Sequence, residues 1–553
     1  MVRFNSIDEV PEHIKAKLAN YFTNVGGDTF VIHGLPPELT GGAMARYSRA
    51  ATGLQLTLAN EFLDEEGNPS SAKGTELMDR VLNAFGDDSV GELEGVASGI
   101  ENISQIATKG LEDRRIGGSP IEQSTRYVRY DQKRADGKWR YLRPREVVES
   151  GLLTRFEETN DLAFDVYSKG VQTLQPLFER QLPRDRFEIE VTRGGEKVRA
   201  KETELVDDAE RRAFRQAYSF TIRCAALDVG RCVLPSSALT HIGISGNGRY
   251  WSTVLNHLKS SDLAEERERA ESLEIELKKV IPTFVKRNAR SEHAVSVRRE
   301  MERVSKELFR GITPTADSVN LVQRGDYRDE VLASALFPYT NIALPQILEV
   351  VRGLGEDKKT DIMKAYVGNR KSRRDRSGRG LEAGYPLTYD LVGGFAEYRD
   401  LERHRMLTQQ RQALTTDLGF ILPPEMTEVG LEDDVKRVVA SMENLHSDLK
   451  HAGLGAAAQY ATLFNNRLRF MMGMNLREFQ HLGELRTQPA GHFSYRAMVQ
   501  EMARAASTAY PWAKEAYGFI DWSDPGNKIT RAKEQGKIAG RNLASGVESL
   551  DLD

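Results

Sequence analysis

The sequence predicts an α+β protein built as two tandem α/β units of one kind, and three observations lead there. The chain has 553 residues, more than one hydrophobic core ordinarily serves, so two or more domains are expected. Its 40% hydrophobic and 29% charged residues are an ordinary globular balance, with enough apolar material for sizeable cores. Charged landmarks also recur in order. Glu92 and Glu382, like Asp113 and Arg403, stand 290 positions apart. Asn247-Gly-Arg249 has a counterpart in Asn475-Leu-Arg477, followed by Lys259 and Arg486, then by Arg269 and Arg496. Residues 1–275 are expected to form the first unit, 276–310 a charged helical linker, 311–522 the second unit and 523–553 a polar tail.

The elements follow from periodicity and punctuation. Leu35 to Leu58 reads as a loop followed by a helix, punctuated by Pro36-Pro37, with Leu39, Ala43 and Tyr47 on one side. Gly86 to Asp113 is a long, mostly apolar stretch ending in charge. Alternation of Phe187, Ile189, Val191 and Val198 around Gly194-Gly195 predicts a β-hairpin over Arg186 to Ala200. Asp262 to Leu308 is charge-rich, with Leu273, Leu277, Val280 and Ile281 at helical spacing, and makes the boundary between the halves. In the second half a basic loop carries Arg370, Lys371, Arg373, Arg374, Arg376 and Arg379; such a loop is ordinarily solvated, and a nucleic-acid contact is its rival reading. Val435, Val438, Val439, Met442, Leu445 and Leu449 trace an amphipathic helix stopped near Gly453. The tail after Trp522 is polar and turn-rich and is expected to be loosely ordered.

Composition excludes several classes. A net charge of −4 gives no bulk sign of a nucleic-acid or membrane partner. Two cysteines, Cys224 and Cys232, argue against a disulfide scaffold, and the lack of a Cys/His cluster argues against structural zinc, so no metal is expected. No stretch approaches the roughly 18 apolar residues of a membrane span, and no apolar signal core opens the chain, so a cytoplasmic protein is expected.

Three clusters bear on chemistry. Glu122-Gln-Ser124-Thr-Arg126-Tyr127 gathers an arginine fork, a hydroxyl and a carboxylate suited to a phosphate and its sugar or base. Taken alone it reads as a solvated turn with an i,i+4 Glu–Arg pair. Arg231-Cys-Val-Leu-Pro235 places a cation before a strand-like run broken by proline, which alone reads as a strand end. Arg403-His404-Arg405 puts two fixed charges around an imidazole, which suits a polyanionic dinucleotide and would depress the histidine pKa by like-charge repulsion. Such a triplet also occurs on exposed helices of charge-rich proteins.

Together these residues resemble the flavin-dependent thymidylate synthases. That family's signature is Arg-His-Arg, seven residues, then a serine within Glu-x-Ser-x-Arg-Tyr; Ala-Arg-x-x-Leu-Pro, a threonine, Asn-x-Arg and Ala-Gln-x-Glu-Ile-Arg follow. The first half keeps Glu122, Ser124, Arg126, Tyr127, Arg231, Leu234, Pro235, Thr240, Asn247 and Arg249, but reads Asp113-Arg114-Arg115 for Arg-His-Arg. Ser89-Val90-Gly-Glu92 also resembles the family, with Leu93 where it has histidine. The second half keeps Arg403-His404-Arg405, Asn475, Arg477, His481, Arg486 and Arg496. It reads Ala413 for the signature serine, Thr415 for its arginine and Gln459 for the Leu-Pro arginine, and Ala-Gln-x-Glu-Ile-Arg has become Gly491-His492-Phe-Ser494-Tyr-Arg496. The resemblance excludes the basic loop, the hairpin, the charged linker and the tail.

The resemblance implies two thymidylate synthase-like domains forming a pseudo-dimer, and a homodimer of such chains. In this family the site lies between subunits, and each half here has lost what the other retains. One composite site is therefore expected, with Glu122, Ser124, Arg126, Arg231, Asp400, Arg403 and Arg486 toward the nucleotide. Ser124, Arg403 and Arg486 stand nearest the chemistry, and Arg403, His404, Arg405, Asn475, Arg477 and His481 hold FAD. The implied reaction moves a one-carbon unit from methylenetetrahydrofolate to C5 of a pyrimidine deoxynucleotide, dUMP first, with FAD as relay and NADPH as reductant. It needs cations rather than a nucleophilic cysteine. Asp400 replaces a family glutamine, and an acceptor-only side chain there would suit a base with more N–H donors, making dCMP the enzymatic rival. A non-catalytic flavin- or nucleotide-binding protein is the rival of another class, motivated by the altered Gly491–Arg496 segment.

Overall fold

The computed structural model describes residues 4–47, 50–70, 75, 76, 78, 88–114, 116–286, 288–296, 299, 318–321, 327–336, 349–368, 370, 377, 379–383, 386–527 and 529–545. Its strands are β1 (Gly95–Ser104), β2 (Gly118–Glu122), β3 (Ile189–Arg193), β4 (Glu196–Ala200), β5 (Leu239–Asn247), β6 (Val319–Leu321), β7 (Leu387–Gly394), β8 (Thr408–Arg411) and β9 (Arg467–Met474). The helices used below are α1 (Glu12–Leu18), α2 (Pro37–Tyr47), α3 (Ala107–Glu112), α4 (Leu153–Gln181), α5 (Asp208–Gly230) and α6 (Gly248–Lys259). They continue as α7 (Ala264–Leu277), α8 (Phe395–Leu401), α9 (Glu432–His451), α10 (Leu476–Arg486), α11 (Phe493–Ala509) and α12 (Arg531–Ser545). This is the α+β class. No described helix is long and apolar enough to cross a membrane.

The chain forms two compact units, and they are not the two sequence halves. One comprises Met1–Gln123, Pro144–Glu146 and Leu239–Ile312; the other takes Ser124–Arg143, Val147–Ala238 and Thr313–Asp553. The first unit holds an antiparallel sheet of order β1-β5-β2. Ile100, Ile103, Ile242 and Ile244 of this sheet pack against Tyr250, Trp251, Val254, Leu255 and Leu258 of α6 and Leu273 and Leu277 of α7. A second apolar cluster joins α1 and α2 through Ile14, Leu18, Leu39 and Ala43.

The second unit holds an antiparallel sheet of order β6-β7-β9-β8. Without its edge strand β6, its order β7-β9-β8 repeats that of β1-β5-β2. In both sheets the central strand runs into an asparagine that caps the next helix: Asn247 Oδ1 accepts from Tyr250 N, and Asn475 Oδ1 from Glu478 N. The Asn-x-Arg repeat thus marks the same strand-to-helix junction twice. The long helix α4 packs against both α5 and α9 in this unit. On α9, Val435, Val438, Met442, Leu445 and Leu449 are buried, and Gly453 past its end takes φ +78°, as a glycine stop does.

The predicted hairpin is β3–β4, turning at Gly194 and Gly195 with φ of +57° and +88°; two successive left-handed residues are what a tight hairpin turn needs. Two expectations are corrected. Arg231 begins a single 3-10 turn closing α5, not a strand end, because the helix runs unbroken to Gly230 and Pro235 comes only after the turn. The tail is not loose: α12 packs against β3 and α5. Its Gly536 and Gly540 lie so close to the Glu188 and Glu190 carbonyl oxygens that an added Cβ would run into them. Polar composition hid this because the contact is made by backbone rather than by apolar side chains. The charged stretch after Asp262 is helical over α7; residues 300–310, like most of the basic loop, lie outside the described residues.

Candidate functional site

The second unit buries Arg126, Arg231, Asp400, His404 and other ionisable side chains, and they form a connected network. Arg126 lies in the turn after β2, yet it is buried rather than solvated. Its fork meets Asp228 in the last turn of α5, with Nε 2.8 Å from Oδ1 and Nη2 2.9 Å from Oδ2. That replaces the expected solvated turn: the partner is bidentate and 102 positions away, not Glu122. Nη1 of Arg126 donates to the Tyr495 hydroxyl at 3.3 Å. Burial works against the Arg126 charge, but Asp228, with Tyr495 and Asp400, outweighs it and raises the pKa. Burial likewise opposes the Asp228 charge, and Arg126 overcomes it, with help from His492 and Arg531, so Asp228 stays ionised.

Arg231, one helical turn beyond Asp228, donates to Thr125 Oγ1 and to Asp400 Oδ2, each at 3.3 Å. The other oxygen of Asp400, Oδ1, accepts from Arg403 Nη2 at 2.8 Å. Asp400 therefore bridges a retained arginine of the first half to one of the second. Its pKa is lowered; burial opposes this, and Arg231 and Arg403 prevail. The Arg231 pKa falls, chiefly through burial, which Asp400 only partly offsets. Its Nε is buried and, among the described residues, has no hydrogen-bond partner.

His404 sits between opposite charges. Arg486 Nε lies 2.9 Å from His404 Nε2, and His404 Nδ1 lies 2.8 Å from Glu478 Oε1. An arginine can only donate, so Nε2 accepts and the ring proton is on Nδ1, directed at Glu478. The imidazole is neutral. Its pKa lies well below the usual value, first through burial and then through Arg486 and Arg403, so the expected like-charge repulsion is the smaller cause. The His481 ring meets it edge-on, 5.5 Å between centroids. Arg486 and Arg126 also stand over the Tyr495 ring, 5.7 and 5.8 Å from its centroid.

The Gly491–Arg496 segment, where the family motif is altered, is fully engaged. His492 Nδ1 accepts from Ser494 N at 3.2 Å, which leaves Nε2 to donate to the Asp228 carbonyl at 3.0 Å. Burial, then Arg231, pulls its pKa down to about 3. Tyr495 meets both arginines, and the buried Arg496 donates to Thr487 O at 2.9 Å and to Ser523 Oγ.

Of the residues singled out in the sequence, Arg126, Arg231, Asp400, Arg403, His404, His481 and Arg486 thus belong to one network. Asn475 joins it by capping the helix that carries Glu478, and Ser124 Oγ accepts from Arg126 N at 3.2 Å. Glu122 ends β2 in the first unit, where it lies 3.2 Å from Thr108 Oγ1 and 3.4 Å from Lys109 Nζ. Arg405 is exposed after α8, and Arg477 is half-buried in the first turn of α10. Sequence reasoning missed Asp228, Glu478, Tyr495 and Arg531. Only Asp228 left a signal, a carboxylate one turn before Arg231 in the apolar last turns of α5. At the positions the second half has lost, Gln459 Oε1 accepts from Leu414 N at 3.1 Å, a local backbone task. In the first unit Arg114 Nη2 lies 2.9 Å from His257 Nδ1. Both cysteines are buried, and burial pushes the Cys224 thiol up to about 11 and raises that of Cys232. Neither is an activated nucleophile.

Comparison with known proteins agrees with this geometry. The family model described as thymidylate synthase complementing protein matches residues 37–283 and 393–512. A UPF0159 protein of Chlamydia muridarum is 31% identical over 544 residues, covering 95% of this chain and 97% of the relative. One of Chlamydia pneumoniae is 33% identical over 533 residues, covering 92% and 95%. One of Thermoplasma acidophilum is 30% identical over 497 residues, covering 88% and 95%. The double match, the repeated strand order and the shared network lead to one conclusion: the chain belongs to the thymidylate synthase complementing protein family, the flavin-dependent thymidylate synthases that its motifs resemble, as a tandem of two diverged copies.

Proposed function

We propose that the protein transfers a one-carbon unit from methylenetetrahydrofolate to C5 of dUMP, giving dTMP, at one composite site per chain. The observation that carries this is the Arg231–Asp400–Arg403 bridge, which joins nucleotide-side residues of the first half to flavin-side residues of the second. In this reading the two copies act as a pseudo-dimer, and the complete chains pair again as a homodimer.

Arg126, Arg231 and Arg486 bind the nucleotide phosphate and orient the pyrimidine, with Ser124 as a further donor. The buried Nε of Arg231, which has no hydrogen-bond partner among the described residues, is suited to donate to that phosphate. Arg403, His404, Arg405, Asn475, Arg477 and His481 fit a dinucleotide, since exposed arginines flank a buried neutral imidazole. FAD, when bound there, supplies the redox relay for the one-carbon unit, and NADPH its reducing equivalents. His404 is fixed as a hydrogen-bond acceptor for Arg486 and so holds that guanidinium toward charge developing on the pyrimidine. Asp400 is ionised and engages an arginine with each oxygen. This favours dUMP over dCMP, because the carboxylate's main partners are already guanidinium groups.

The test is the visible spectrum of the purified protein with added FAD, followed by titration of dUMP and dCMP. About one FAD and one nucleotide per chain are expected, with dUMP the tighter. A colourless protein unaltered by FAD, or two equal nucleotide sites per chain, would overturn the reading.

A further inference from the structure

The C-terminal helix α12 lies beyond both stretches matched by the family model, yet its first residue enters the network. Arg531 is buried, and its Nη2 lies 2.9 Å from the Ala490 carbonyl oxygen and 3.6 Å from Asp228 Oδ2. Arg126 Nη2 reaches the same two acceptors, Ala490 O at 3.4 Å and Asp228 Oδ2 at 2.9 Å. Two buried guanidinium groups thus converge on one carboxylate and one carbonyl. Arg531 Nη1 is buried and, among the described residues, has no hydrogen-bond partner, as is also true of Arg231 Nε.

Burying two cations on one carboxylate is costly unless a further anion compensates, and an orphaned guanidinium N–H repeats that demand. The docking of α12 is also specific. Gly536 and Gly540 bring its backbone onto the Glu188 and Glu190 carbonyls of the hairpin, and Thr530 Oγ1 donates to Pro489 O at 3.0 Å. The hairpin and the tail, both outside the motif resemblance, together set Arg531 beside Asp228.

We propose that Arg531 is a fourth anion-binding cation of the nucleotide site, positioned by α12, and that it works with Arg126 to hold the phosphate monoester of the substrate. This rests on the dUMP reading for the identity of the ligand, but not for its charge. When the phosphate arrives, it supplies the missing negative charge to the Arg126–Asp228–Arg531 group, and the orphaned N–H gains its acceptor. Arg531 does no chemistry on the pyrimidine ring.

The experiment is calorimetry on the full-length protein with three probes, dUMP, inorganic phosphate and deoxyuridine, for wild type, Arg531→Gln and Arg531→Lys. Arg531→Gln should weaken both dUMP and inorganic phosphate by about 10- to 100-fold, the worth of one charge-assisted hydrogen bond, and leave deoxyuridine and FAD unchanged. Arg531→Lys should recover part of the loss, and in turnover KM should rise while kcat holds. In wild type, inorganic phosphate should slow amide exchange across residues 531–545, a readout that needs no variant to fold. Phosphate affinity within about twofold of wild type in Arg531→Gln, or exchange in α12 unaltered by phosphate, overturns the proposal. Phosphate binding that depends on Arg531 in a protein that binds no pyrimidine nucleotide would support it while removing the dUMP reading.

Discussion

At the residue scale, Arg231 carries the most consequence for its size. It is buried, holds Asp400 on one side and Thr125 on the other, and keeps one donor in reserve. Arg231→Ala should lower nucleotide affinity by roughly 10- to 100-fold, with an added stability loss because Asp400 keeps only Arg403. Arg114→Ala, at the histidine position of the altered first-half triplet, should leave turnover within about threefold of wild type. Steady-state kinetics on the two variants checks the contrast. Cys232→Ser should keep most activity, since its buried thiol has a raised pKa and no call to ionise; abolished turnover in a folded, FAD-binding Cys232→Ser protein would point to nucleophilic catalysis. What was legible here was the list of cations. The Arg-His-Arg triplet, Arg126 and Arg231 stand out only as an ordered set that resembles a family signature, since each alone reads as an ordinary surface or element-end cation. Their carboxylate pairings were not legible: Asp400 reads as a contact to the base rather than a bridge between two arginines, and Asp228 gains its meaning only when the fold puts an arginine from 102 positions away against it.

At the scale of elements, the two Asn-capped junctions make an internal control. Asn247 and Asn475 each end a central strand and cap the helix that follows. Replacing either by alanine should cost about 1 kcal/mol of stability, the ordinary worth of an N-cap. Only Asn475→Ala should also loosen FAD retention, because α10 carries Glu478 and through it orients His404. Denaturant titration and the flavin absorbance of the two variants separate these effects. The hairpin and α9 were legible because side-chain periodicity and glycine turns report directly on them. Helix α12 was not, since the close approach of Gly536 and Gly540 to a strand is invisible to hydropathy.

For the whole molecule, the compact units should respond to pH in opposite senses. In the first unit burial, then Glu38, raises the Glu94 carboxyl to about 8 from an ordinary 4.5. The unfolded chain loses that proton first, so this contribution falls as pH rises from about 4.5 to 8, by up to about 1.4 kcal/mol per pH unit. In the second unit His492 is held neutral down to about 3. There the unfolded chain gains the proton first, so stability falls as pH drops from about 6.5 toward 3, and the lowered Asp228 and Asp400 extend the loss into stronger acid. Amide exchange at pH 6 and pH 9 should show the β1-β5-β2 core opening more readily at the higher pH, with Glu94→Gln abolishing the difference. Separately expressed sequence halves should be inactive alone and regain activity on mixing, since Ser124–Arg143 and Val147–Ala238 belong to the same compact unit as the second half.

That allocation also sets a schedule for the newborn chain. Arg231 leaves the ribosome 169 residues before Asp400. At about 5–20 residues per second that is a wait of roughly 10–30 seconds, and longer for the α4 and α5 surfaces that α9 and α12 later cover. Meanwhile the first unit lacks Leu239–Ile312 until the interrupting segment has emerged. Neither unit can mature strictly from its N-terminus. The faces of α4 and α5 that α9 and α12 cover in the finished protein therefore stay open to solvent through much of its synthesis.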